Sequence, residues 1–175
     1  MSVEVVIDFN GLEKLRLRVE GMRERAADLS PVLNHQAKSL AGVIDGAFKE
    51  SKSPNGKAWA KLSDVTVGRR RKGSSKQLVD TGQLKSATFA IGGKGAITFG
   101  VSGTPTAFAR VHQFGNPKNR MYNHPPGAKA PIPARPFLPL DQSGDGDFKA
   151  GAAKVWKERT LKRVAAYVLH NEGAA

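Results

Sequence analysis

The residues most able to do chemistry are few, and their spacing decides what they can do. Leu78-Val79-Asp80-Thr81-Gly82 places an aspartate before Thr-Gly, the pattern of proteases in which two such carboxylates share one proton. That chemistry needs the aspartate at a sharp strand end and a second apolar-Gly loop far downstream. Gln83-Leu84-Lys85-Ser86 follows instead, and no second loop is evident. Asp80 therefore reads as the cap of a turn or short helix, with Gly82 allowing an unusual backbone angle. Asp141-Gln142-Ser143-Gly144-Asp145-Gly146 imitates half of a calcium loop. Its twelfth position would be Ala152, which has no carboxylate, so these acids are expected to cap the last helix. His35, His112, His124 and His170 show no metal spacing. Cysteine is absent, which excludes disulfides, thiolate metal sites and thiol catalysis. No nucleophile elbow or phosphate-cradling glycine loop is present. The expectation is a protein that is not an enzyme, with no cofactor and no metal.

Charge is the other chemical resource. The chain carries 28 Lys and Arg against 15 Asp and Glu, a net of +13. Residues 61–140 hold 13 basic and 2 acidic side chains, so +11 of that excess sits in the middle of the chain. Arg69, Arg70, Arg71 and Lys72 form its densest run. Such a run can touch nucleic-acid phosphates or an acidic protein surface. It has no interleaved aromatics and no basic helix to enter a groove, which favours the protein surface.

The elements that must position these groups follow from periodicity. Val3, Val5, Ile7 and Phe9 alternate as a strand. Asn10 opens a helix with an apolar stripe at Leu12, Leu15, Val19, Met22, Ala26 and Leu29. Ser30 as N-cap and Pro31 open a second, striped by Leu33, Ala37, Leu40, Ile44, Ala47 and Phe48. Residues 49–77 read as loop, with a turn at Ser53-Pro54-Asn55-Gly56. Ala87, Phe89 and Ile91, then Ile97, Phe99 and Val101, make a hairpin with one apolar face around Gly92-Gly93-Lys94-Gly95. Pro105 to Phe114 is a short helix stopped by Gly115, and residues 116–139 are Pro-rich and extended. Residues 147–170 form a final helix. The length of 175 residues suits one domain, residues 1–175. The expected fold is α+β: an antiparallel sheet around the central hairpin, packed by N-terminal and C-terminal helices. Mobile loops are expected at about 61–77 and 116–139. No apolar run approaches the ~20 residues of a membrane span, and no signal peptide is visible, so a cytoplasmic setting without membrane contact is expected.

Four clusters occur in order: Ser53-Pro54-x-Gly56-x-x-Trp59-x-x-Leu62, Leu78-Val79-Asp80-Thr81-Gly82-x-Leu84, His112-Gln113-Phe114-Gly115, and Ile132-Pro133-Ala134-Arg135-Pro136-Phe137-Leu138. Together they resemble the phage virion morphogenesis, or tail completion, family of Mu-like tailed phages and prophages. One departure stands at Ala87, where the family often has Ser and this chain has Ser86 one position earlier. The resemblance implies a structural protein without catalysis. It would finish the tail and help join it to the head, assembled in the host cytoplasm into the virion neck. It implies a homo-oligomeric ring, commonly a hexamer, meeting tail-tube and head-side neck proteins, with phosphate contact to DNA in a channel as a further partner. Candidate interface residues are Trp59, Phe114 and Phe137, large apolar groups on turns or loops, together with Arg69, Arg70, Arg71, Lys72 and Arg135. Arg135, between two prolines, can fork onto a partner carboxylate. The alternative is a basic nucleic-acid-binding module of phage origin.

Overall fold

The computed structural model describes residues 10–70, 74–116 and 131–170. The expected strand at residues 3–9, together with Arg71 and Lys72, lies outside them. In chain order the elements are α1 (Asn10–Ala27), α2 (Ser30–Glu50), α3 (Asp64–Arg69), α4 (Gln83–Ser86), β1 (Thr88–Gly92), β2 (Ile97–Val101), α5 (Thr106–Phe114) and α6 (Gly151–His170). The fold is α+β, with the two strands forming an antiparallel hairpin and α2 lying across it.

The α2 stripe explains the packing. Val32, Leu33, Ala37, Leu40, Ile44, Ala47 and Phe48 are all buried, at the i, i+3, i+4 spacing of one helix face. Pro31 sits in the first turn as expected, but Ser30 is not the cap. The Asp28 carboxylate accepts the Ser30 N–H at 2.9 Å, and hydrogen bonding by the Ser30 side chain first, then by its N–H, lowers the pKa of Asp28. Around α2 gather Trp59, Leu78, Leu84, Ala109, Phe137, Leu138 and Trp156. A smaller cluster of Val32, Leu33 and Tyr167 joins α2 to the far end of α6. Between the two clusters a polar pin holds the α2–α6 crossing: Trp156 Nε1 donates to the Gln36 carbonyl at 3.0 Å and Thr160 Oγ1 to Gln36 Oε1 at 3.2 Å.

On β2 the expected face turns inward, whereas on β1 the opposite face does. Ala90 pairs with Phe99, Thr88 with Val101 and Gly92 with Ile97. Ala90, Ile97, Phe99 and Val101 pack on the core, while Ile91 is 61% exposed. The reason is steric. α2 runs so close to β1 that a Cβ on Gly92 would sit 2.4 Å from the Asn34 nitrogen and the Leu33 carbonyl carbon. Only small inward residues on β1 fit under a helix at that distance.

Two further expectations are corrected. The segment 49–77 is not all loop: Ser63 Oγ accepts the Thr66 N–H at 3.3 Å and starts α3. The acids near 141–147 do not cap α6. Asp141 Oδ1 accepts the N–H groups of Ser143 and Asp145 within its own loop, and the first turn of α6 is met by the Pro54 carbonyl, which accepts the Ala153 N–H at 3.1 Å.

Candidate functional site

The four sequence clusters fold into one place. The first is a tight turn: Ser53 N–H donates to the Lys57 carbonyl at 2.7 Å, and Ser53 Oγ accepts the Lys57 N–H at 3.0 Å. This turn delivers Trp59 into the core against Phe48, in an edge-to-face pair with centroids 5.9 Å apart. Trp59 Nε1 then donates to the Pro136 carbonyl at 2.8 Å. Phe137 is fully buried on the other side of Phe48.

The third cluster holds the fourth. Gln113, buried on α5, accepts the N–H groups of Phe137 and Leu138 on Oε1 at 3.0 and 3.1 Å, and donates Nε2 to the Leu138 carbonyl at 2.8 Å. One side chain thus satisfies main-chain groups that a Pro-rich segment, lacking a sheet neighbour here, would otherwise bury unpaired. Gly115 stops α5 at φ 78°, and its missing Cβ admits the backbone of Ala134, whose nitrogen would lie 2.9 Å from such a Cβ. A bridge between Asn116 and Ile132 extends the contact. The described part of the Pro-rich segment is therefore pinned into the core along residues 135–139.

Arg135 is the most unusual member. It is 6% exposed. Its main-chain N–H donates to the His112 carbonyl at 2.7 Å, Nε to the Ala60 carbonyl at 2.9 Å and Nη2 to the Lys61 carbonyl at 3.1 Å. No carboxylate among the described residues pairs with it. Burial, and then the nearby Arg70, push its pKa down. Next to it, His112 is lowered first by burial, then by Arg135 and Arg70. His112 Nδ1 is buried without a hydrogen-bond partner.

These groups line a groove of about 880 Å³ between α3, α4, α5 and residues 131–135. Leu62, Val65, Leu84, Phe108 and Ile132 supply apolar walls; Lys61, Arg69 and Arg70 supply cations. The second cluster forms the end of the groove. Leu78, buried, adopts φ 57°, a costly angle for leucine, and turns the chain toward Asp80. Asp80 is exposed and caps nothing; Thr81 Oγ1 receives the Gln83 N–H at 3.5 Å and Gly82, at φ 81°, precedes α4.

Of the candidate residues, Trp59, Arg135 and Phe137 are inside the subunit, Arg69 is exposed, and Arg70 and Phe114 are half-buried. Arg70 Nη1 donates to the Lys76 carbonyl. Sequence reasoning missed Gln113 and His112 as site residues, although both stand in a cluster it quoted. The signal available was a polar pair in the last turn before a helix-stopping glycine.

The groove thus combines apolar walls with a cationic rim, on a scaffold of side chains bound to backbone. The chain belongs to the phage virion morphogenesis family, whose model matches residues 11–152. It is 30% identical over 146 residues to Mu-like prophage FluMu G protein 2 of Haemophilus influenzae, covering 82% of this chain and 90% of that protein. No solved structure matches the chain significantly. Family membership supports a structural role in phage virion assembly, in association with the virion, rather than a catalytic one. No described helix is long and apolar enough to cross a membrane.

Proposed function

We propose that this protein completes the phage tail and acts in head–tail joining, as a homo-oligomeric ring in the neck. The observation that carries the reading is the convergence of all four clusters on one locked groove that faces outward with its cations unpaired. Trp59, Arg135 and Phe137 serve the interface from inside, by holding the groove walls. Arg69, Arg70 and Phe114, with Arg71 and Lys72, meet partners directly. Ring symmetry would bring the basic segments of several subunits together and multiply a modest charge into a strong local field. Tail-tube and head-side neck proteins are the partners in this reading, with DNA phosphate in the channel as a further contact. Native mass measurement of the purified protein and imaging of labelled particles test it. A ring larger than a dimer, located between head and tail, is expected. A dispersed monomer absent from virions would overturn it.

A nucleic-acid-binding module is the second reading, favoured by one observation: of the described cations in 61–140, Lys85 alone has an ion-pair partner. Tight DNA binding that falls steeply with salt would replace the first reading with this one.

A further inference from the structure

The groove carries a charge that no described carboxylate neutralises. Arg135 is nine-tenths buried, yet its partners are the neutral carbonyls of Ala60 and Lys61. A buried guanidinium without an anion is costly, and a carboxylate arriving in the groove removes that cost by charge-assisted hydrogen bonds. Arg70 lies close enough to repel it, and His112, whose buried Nδ1 has no hydrogen-bond partner, lines the same wall. Three nitrogen-bearing groups therefore converge where no acid is present among the described residues except Asp80 at the groove's end.

We propose that this groove is the receptor for an extended acidic segment of another virion protein, with one Asp or Glu carboxylate seated on Arg135 and Arg70 and apolar neighbours against Leu62, Val65 and Ile132. The volume, about 880 Å³, holds a few residues rather than a helix or a duplex. Nucleic-acid interfaces are polar and wet, whereas these walls are aliphatic and aromatic. The inference deepens the assembly reading and rests on it in taking the partner to be a protein of the particle.

The test uses the purified full chain and two fluorescein-labelled hexapeptides, Gly-Ser-Leu-Asp-Leu-Pro and its Asn-for-Asp twin, in an anisotropy titration. The Asp peptide is expected to bind about tenfold or more tightly than its twin, the usual value of hydrogen bonds to a charged group. Arg70→Gln should reduce that preference several-fold. Leu62→Glu, which brings an internal carboxylate to the groove, should abolish peptide binding. Both positions lie at the groove wall outside the Gln113–Phe137 contacts, so unfolding is not the expected cause, and a urea midpoint for each variant checks this. Arg135→Lys, which keeps the charge but loses the fork, should lose most of the preference. Equal affinity for the two peptides, a preference indifferent to Arg70→Gln and Leu62→Glu, or displacement of the peptide by inorganic phosphate or a 12-base-pair duplex at equal concentration would overturn the proposal. If the preference fails while particles still carry the ring, the groove assignment falls alone. If it holds but virions lack the protein, the assembly reading falls instead.

Discussion

The side-chain amide of Gln113 meets three main-chain groups of residues 137 and 138. Gln113→Leu would leave the Phe137 and Leu138 N–H groups buried without partners, while the Leu138 carbonyl keeps the Leu140 N–H at 2.9 Å. It is expected to cost about 3–4 kcal/mol, since each orphaned group forfeits roughly 1–3; a urea titration monitored by Trp59 fluorescence measures it. His112 is perturbed in the opposite sense to a caged acid. Its folded pKa lies below the ordinary value because burial, Arg135 and Arg70 all disfavour the imidazolium. The unfolded chain therefore binds a proton that the folded chain refuses. The resulting stability is present above about pH 6.5, declines as pH falls below that value, and is lost once pH passes below the depressed folded value. The urea midpoint should fall between pH 7.5 and 5.5, and His112→Gln should remove that part of the fall. An unchanged midpoint in the parent chain would contradict it. At this scale the sequence was partly legible. Trp59, Phe137 and Arg135 stood out by size and charge, but nothing along the chain says that a loop tryptophan turns inward. That outcome depends on a carbonyl 77 positions away.

Among the elements, α2, α5 and α6 were legible to within a few residues because each carries a stripe or a stop signal that local chemistry enforces. The hairpin was legible in existence and in the inward face of β2, not in the inward face of β1. Both faces of β1 contain apolar residues, and the choice between Ala90 and Ile91 is made by the closeness of α2, a tertiary fact. A consequence is testable. Gly92→Ala would drive a Cβ into the α2 backbone and should destabilise by about 2 kcal/mol, at the middle of the overpacking range. Ile91→Thr, on the exposed face, should stay within about 0.5 kcal/mol. Thermal melts of the two variants decide it; equal effects would mean the inward face is misassigned. The six residues of α3 escaped because one and a half turns are too short for periodicity to show. Its Ser63 cap was the readable clue.

For the molecule as a whole, charge and packing are segregated. Ion pairs among the described residues lie mostly on the flanking helices, such as Arg16 with Glu13 and Glu20, and Lys49 with Asp45. Arg69 and Arg70, at the described end of the basic run, supply no member of the main core. Deleting residues 69–72 is accordingly expected to leave the melting temperature within a few degrees while sharply reducing head–tail joining in an in vitro complementation of separated heads and tails. Full joining by the deletion variant would remove the basic run from the assembly mechanism. The arrangement also explains why the family resemblance was readable when the groove was not. The clusters are marked by residues that fix backbone, and the groove is the space left between them, which no local pattern encodes.

Trp59, Gln113 and Arg135 share one habit: each grips carbonyls or amides of the main chain rather than another side chain. A clasp of this kind is indifferent to what Ala60, Lys61, Pro136 or Leu138 happen to be, so long as the chain follows the same path. Substitutions at the rim, including new charges at Lys61 or Leu62, can accumulate without loosening the scaffold beneath. A handful of exposed positions is thereby free to drift while the path of the chain beneath them stays fixed.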